Sequence, residues 1–192
     1  MSAPPQVLPP RQRILLTAHD LFYRDGVRAT GIDRIISESG VAKVTFYRHF
    51  PSKNELIEAF LAYRHEQWLR WFSQSLTQYV EQFGDVLPAL VPCLEEWFSD
   101  PHYRGCAFIN TAVELADMLP ESLDIARRHK QQMAEEIARY LPLGPEREQR
   151  AEMLAMLIDG AIVKVQIEQQ PQNALLLLRE TLKALAEVWH HQ

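Results

Sequence analysis

The 192-residue sequence predicts an all-α protein: a three-helix helix-turn-helix head followed by a helical body, about nine helices in all. Three observations predict it. Apolar residues recur at three- and four-residue spacing along most of the chain, and no segment alternates apolar and polar residues long enough to make a strand. Proline and glycine mostly fall between those periodic segments, where helices start and stop. A hydrophobic fraction of 47% against 23% charged residues supports a packed core and excludes global disorder.

Residues 1–10 hold four prolines, no charged side chain and no signal-peptide pattern, and read as a flexible tail. A first helix fits Arg11 to Asp25, with Ile14, Leu15, Ala18, Leu21 and Phe22 on one stripe and Gly26 at its end. Thr30 is placed to cap a second helix carrying Ile32, Ile35 and Ile36, which stops at Ser39-Gly40. Residues 42–50 make a third, short helix anchored by Val41, Phe46 and Phe50. Pro51 ends it, and Ser52 with Glu55 forms the capping box of a fourth. That helix extends toward Gln82, with a break near Glu66 left open. Residues 85–99 carry Pro88 and Pro92 and read as one short or kinked helix. Further helices fit 106–117, 121–141, 146–168 and 173–190, divided by Pro120, by Pro142 to Pro145 and by Pro171. The division is a tail over 1–10, a helix-turn-helix head over 11–55, and a helical body over 56–192.

Residues 26–50 carry the functional signal. Two short amphipathic helices joined by a glycine turn form helix-turn-helix geometry. The second is too short to stand alone and must be held by its apolar anchors, which leaves a polar face for a major groove roughly 12 Å wide. Lys43, Val44 and Thr45 lie near its start, where an amine can donate to guanine and a methyl can pack on thymine. Tyr47 and His49 suit phosphate, as do the helix starts at Thr30 and Ser52. Lys53 and Arg28 add salt-dependent attraction. Charge agrees in sign: residues 1–64 carry nine Lys and Arg against six Asp and Glu, whereas the rest carries eleven against nineteen, within a net charge of -5.

Residues 11–61 resemble the DNA-binding domain of the tetracycline-repressor (TetR) family of transcriptional regulators. The matching residues run from Arg13, Ile14, Ala18 and Phe22 through Gly26, Thr30, Ile35, Gly40 and Val41 to Leu56 and Ile57. The string from Thr45 to Phe50, followed by Ser52-Lys53, is the most specific part. The resemblance implies a homodimer, a helical body with a ligand pocket, and repression relieved by a small molecule. It places Thr30, Tyr47, His49 and Lys53 at phosphate-contacting positions and Lys43, Val44 and Thr45 at or near the bases. Three departures stand out: Gly31 where Ser or Thr is common, Ala42 in place of a serine start to the recognition helix, and Val44 in place of a small residue.

Dimerisation is expected on the last two helices, through Met153, Met156, Leu157, Gly160, Ala161 and Lys164 on one and Leu175, Leu178, Leu182, Ala186 and Trp189 on the other. Glycine costs about 1 kcal/mol in a helix interior, and close helix approach would explain Gly160. The alternative is packing within one chain. A two-fold pair would read a pseudopalindromic operator on double-stranded DNA with half-sites about 34–36 Å apart. Ligand-wall candidates are Trp68, Trp71, Phe72, Trp97, Cys106, Phe108, Asn110, Glu114, His129 and Met133, together with Phe83 and Met118. Such residues fill cores more often than they line ligands, and as a wall they suit a small, largely apolar effector.

Enzyme and cofactor readings find little support. There is no phosphate-binding glycine loop, no His-Glu-x-x-His and no nucleophile elbow. His102 and Cys106 lack the second ligand pair a zinc site needs, so no metal and no cofactor is expected. Cys93 and Cys106 read as thiols in a reducing compartment, with a redox role for Cys106 a minor alternative. No segment is apolar for long enough to span a membrane, and the expected location is the cytoplasm.

Overall fold

The computed structural model describes residues 8–115 and 119–190, with the side chain of His190 excepted. Most of the expected tail, Met118 and His191 lie outside the described residues. Nine helices and no strand are found among those described.

The head consists of α1 (Pro10–Asp25), α2 (Ile32–Ser39) and α3 (Lys43–His49). Pro10 opens α1 at the position where a missing N–H costs nothing and the fixed φ is already helical. Ile14, Ala18, Leu21 and Phe22 from α1, Ile35 from α2, and Val41, Phe46 and Phe50 around α3 close into one core. Full burial of side chains this size stabilises by about 1.5–3 kcal/mol each. That burial is what holds α3, because seven residues do not sustain a helix in water. Gly40 ends α2 in the left-handed region at φ 63°, the conformation that lets the chain reverse between α2 and α3.

Helix α4 (Lys53–Phe83) starts in the head and ends in the body. Ser52 Oγ accepts from the Glu55 amide at 3.2 Å, so the expected N-cap is present, while its hydroxyl donates to the Glu55 carboxylate at 3.4 Å in place of the backbone contact of a full capping box. The helix runs its 31 residues without a break near Glu66 and spans roughly 46 Å at 1.5 Å per residue. Leu56, Ile57, Phe60 and Leu61 complete the head core, and Trp68, Phe72 and Leu76 enter the body core. The division drawn at 55/56 therefore falls in the first turn of a continuous helix.

The body adds α5 (Val86–Phe98), α6 (Ala107–Leu115), α7 (Glu121–Ala138), α8 (Arg147–Glu168) and α9 (Pro171–His190). Asp85 caps α5 through the Leu87 amide at 2.7 Å, and Pro92 is accommodated inside the helix. Helix α9 begins at Pro171, two residues before expectation, because that proline serves as the first helical residue and not as a divider. Helix α7 ends at Ala138, three residues early, where Arg147 Nε takes up the Ala138 carbonyl at 2.5 Å. In the layering, α4 packs on α5 and α7, α7 on α8, and α9 on both α5 and α8.

Candidate nucleic-acid interface

Helix α3 divides its side chains sharply. Phe46 is fully buried in the head core, while Lys43, Val44, Tyr47 and Arg48 are exposed. Val44 is 81% exposed, so this apolar side chain contributes nothing to the core of the chain that carries it. Thr45 and His49 are half-buried at the flanks of that face. Lys43 Nζ lies 3.4 Å from Asp33 Oδ1, an exposed pair that costs little to exchange for a stronger anion. The N-caps of α2 and α3 are Gly31 and Ala42, neither with a side-chain cap, so their first amides are left for other acceptors. Arg48 was not singled out in the sequence, although its four-residue spacing from Val44 puts both on one side of the helix.

Two of the expected phosphate contacts are arranged differently. Thr30 is fully buried, and its Oγ1 donates to the Gly26 carbonyl at 2.7 Å. It neither caps α2 nor offers a hydroxyl to DNA; it braces the turn after α1. Lys53 Nζ donates to the Val27 carbonyl at 2.7 Å and lies 5.9 Å from the Phe22 ring, so its ammonium is held against the head. Burial lowers its pKa, opposed by the Glu114 carboxylate. Arg28 is exposed on the same turn.

That turn rests on α6. Glu114 Oε2 accepts from the amides of Val27 at 3.0 Å and Arg28 at 3.2 Å. Asn110 donates to the Arg104 carbonyl and accepts from Gln166 of α8, both at 3.0 Å. Glu114 and Asn110, two of the ligand-wall candidates, sit at the seam between head and body and line a cleft of about 440 Å³ there.

The other ligand-wall candidates form a packed aromatic layer. Trp68 stacks on Phe72 with ring centroids 4.8 Å apart and meets Trp97 edge-on at 5.5 Å. Phe108 stacks on His129 at 3.7 Å, and His129 Nδ1 shares a hydrogen bond with His65 Nδ1 at 3.0 Å. Trp68, Phe72, Trp97, Cys106, Phe108, His129 and Met133 are all buried; Trp71 is half-buried and donates to Glu96 at 2.8 Å. Burial pushes the His129 pKa from 6.5 down to about 2, helped by the charges of Lys130, His65 and Arg64. Open space lies beside this layer. One cleft of about 520 Å³ is bordered by Trp68, Trp71 and Trp97, and another of about 530 Å³ by His65 and His129. A third groove of about 560 Å³ runs between α5 and α9, where Phe83, Leu87, Val91 and Leu182 give it apolar walls.

Helices α8 and α9 are apolar on two opposite sides. Inward, Leu154, Ile158, Ala161, Ile162 and Val165 of α8 meet Leu175, Leu178 and Leu182 of α9 in the core. Ala161, Leu175, Leu178 and Leu182 are therefore not surface residues; the leucine run put several on one stripe, and that stripe faces the chain itself. Outward, Met153, Met156, Gly160, Val163 and Ile167 follow one another at three- and four-residue spacing, and Ile167 is 76% exposed. On α9 Leu177 and Val188 are likewise exposed. Val163, Ile167, Leu177 and Val188 were missed because an exposed apolar residue looks no different in sequence from a core one. Leu157, Lys164, Ala186 and Trp189 are half-buried at the edges, with Lys164 paired to Glu168 and Trp189 under Arg150.

No described helix is long and apolar enough to cross a membrane, and no cluster of metal-ligating residues occurs among the described residues. In sequence, residues 14–60 match the profile of bacterial regulatory proteins of the tetR family. A curated HTH-type transcriptional regulator of Staphylococcus aureus strain USA300 is 46% identical over 46 residues. That alignment covers 24% of this chain and 25% of the relative, so the likeness to the curated relatives spans about a quarter of their length. The fold likeness extends through the body. A TetR-family transcriptional regulator from Streptomyces coelicolor superposes with a TM-score of 0.74 at 27% identity, over 91% of this chain and 93% of its own. NemR of Escherichia coli in its reduced form gives 0.77 at 18% identity, over 91% and 96%. A CifR cysteine mutant, complexed with a 26-base-pair operator duplex, gives 0.75 at 18% identity, over 94% and 99%. The head, residues 14–60, is thus similar in sequence to the bacterial regulatory proteins of the tetR family, and nearly the whole length shares the fold of a solved TetR-family regulator.

Proposed function

We propose that this protein is a homodimeric, DNA-binding regulator of transcription that represses from a palindromic operator and is released by a small, largely apolar ligand. The observation that carries the reading is the outer face of α3, where Lys43, Val44 and Tyr47 stand in solvent while Phe46 beneath them is locked in the core. A cation, a bare methyl pair and a phenol on a short rigid helix match base-edge and phosphate chemistry in a major groove. A similarly folded regulator is known bound to an operator duplex, which supports the same use of the head here.

The outward stripes of α8 and α9 supply the dimer contact in this reading. Apolar side chains presented at helical spacing opposite a helix's core face mark a surface that another helix covers. The contact residues are then Met153, Met156, Gly160, Val163, Ile167, Leu177 and Val188. The clefts beside Trp71 and His129 and the apolar groove between α5 and α9 are large enough for a small effector. The packed aromatic layer favours a second reading, a DNA-binding regulator without a small-molecule effector, because most of the predicted ligand wall is buried in its own stacking contacts.

Selection of duplexes from a random pool with the full chain, followed by titration of the recovered sequence at several salt concentrations, tests the proposal. The expected result is a two-fold symmetric site bound far more tightly than random DNA, with affinity falling as salt rises. A pool that yields no enriched sequence refutes the DNA-binding reading. Sedimentation of Ile167→Glu beside the wild-type chain tests the interface, with a dimer expected for the latter only.

A further inference from the structure

The segment between α1 and α2 is held at both ends of a single residue, Val27. The Val27 carbonyl accepts from Lys53 of α4, and the Val27 amide donates to Glu114 of α6, which also takes the Arg28 amide. Hydrogen bonds to an ionised carboxylate are stronger than neutral ones, and these two reach across 86 and 87 residues of chain. Gly26 fits both demands of the site. Its φ of 90° disfavours other residues, and a side chain there would begin 3.2 Å from Glu114 Oε1. Beside it Tyr23 donates to the Gly105 carbonyl at 2.9 Å and accepts from the Arg104 amide at 3.0 Å. Asn110 continues the seam to Gln166 on α8. A cleft of about 440 Å³ borders this seam.

From this geometry we infer that Glu114 is a positioning residue for the DNA-reading helix. Its carboxylate fixes the pose of the turn that leads into α2 and α3 by holding two successive amides from α6. The inference rests on the reading that α3 contacts DNA. Glu114 touches no base or phosphate itself; losing it frees the head to sample orientations that binding must then restrict.

The test uses the full-length chain as wild type, Glu114→Ala, Glu114→Gln and, as a charge-matched control, Glu148→Gln on the surface of α8. Amide hydrogen exchange of residues 24–31 and affinity for the duplex selected by the wild-type protein are read together. Glu114→Ala is expected to speed exchange at Val27 and Arg28 and to weaken operator binding about tenfold, with exchange in α8 and α9 unchanged. Glu114→Gln keeps an oxygen acceptor and should recover part of both effects, while Glu148→Gln should match wild type. Unchanged exchange at Val27 and Arg28 in Glu114→Ala overturns the inference, as does faster exchange with wild-type affinity. If Glu114→Ala does not fold, wild-type behaviour of Glu114→Gln in both readouts, with no loss of amide protection or affinity, likewise overturns it. Failure of the wild-type chain itself to prefer any duplex would refute the DNA-binding reading instead, and is distinguishable because the exchange comparison needs no DNA.

Discussion

The outer face of α3 and the middle of the body are built from similar residue types with opposite outcomes. On α3 a valine, a tyrosine and two cations are left in water at the end of a helix that could not fold without Phe46. In the body, tryptophans, a phenylalanine and a histidine are stacked on one another until almost none of their surface remains. The first arrangement leaves an apolar side chain where it stabilises nothing, and the second takes up most of the candidate ligand wall in packing. A residue's departure from what burial alone requires is thus the better guide to function, and by that measure the head is specified for binding more clearly than the interior.

Four measurements would break or sharpen that contrast. Phe46→Ala should have the largest effect, a loss of about 3–5 kcal/mol of stability with operator binding abolished, read by chemical denaturation and DNA titration. Survival of binding in that variant would show that α3 does not depend on its core anchor. The body should show its burial through pH. His129 is neutral in the fold with its pKa near 2, while the unfolded chain takes up a proton below 6.5. Stability from this group is therefore complete above pH 6.5 and declines as pH falls, by up to about 1.4 kcal/mol per pH unit down toward the folded pKa. Melting temperatures between pH 7 and 5 should drop for the wild-type chain and drop less for His129→Phe; equal slopes would show that His129 is not the buried titrating group.

Smaller effects separate the residues of α3. Lys43→Ala should change the preference among operators by about 1–3 kcal/mol at the base it contacts, whereas Tyr47→Ala should weaken binding to every duplex. Equal losses on specific and random DNA for Lys43→Ala would contradict a base-reading role. Val44→Ala should be the smallest in stability, within about 0.5 kcal/mol of wild type, because the side chain is 81% exposed. A larger loss would mean that Val44 packs within the protein, and the contrast between the two regions would weaken.

Local features were legible in the residues themselves. The Ser52 cap on the Glu55 amide, the glycine turn at Gly40 and the anchoring of α3 by Val41, Phe46 and Phe50 each depend on neighbours a few positions away. Reading failed where two helices had to be placed against each other. Thr30 resembles a cap in sequence, but its hydroxyl is turned inward; Glu114 reads as a pocket residue, and the cleft it lines lies against the turn before α2.

The amino-acid order by itself determined how many helices form, where most of them begin and end, and which short helix must lean on its neighbours, since caps, breaks and apolar period act within a few residues along the chain. Only the tertiary structure decided which of two apolar sides of α8 and α9 faces inward, that the aromatic residues of the body fill their own space, and that Glu114 reaches the turn before α2. Those outcomes depend on the rotation of each helix about its axis and on what lies across from it, and that rotation is settled by the simultaneous packing of all the helices and not by any one segment.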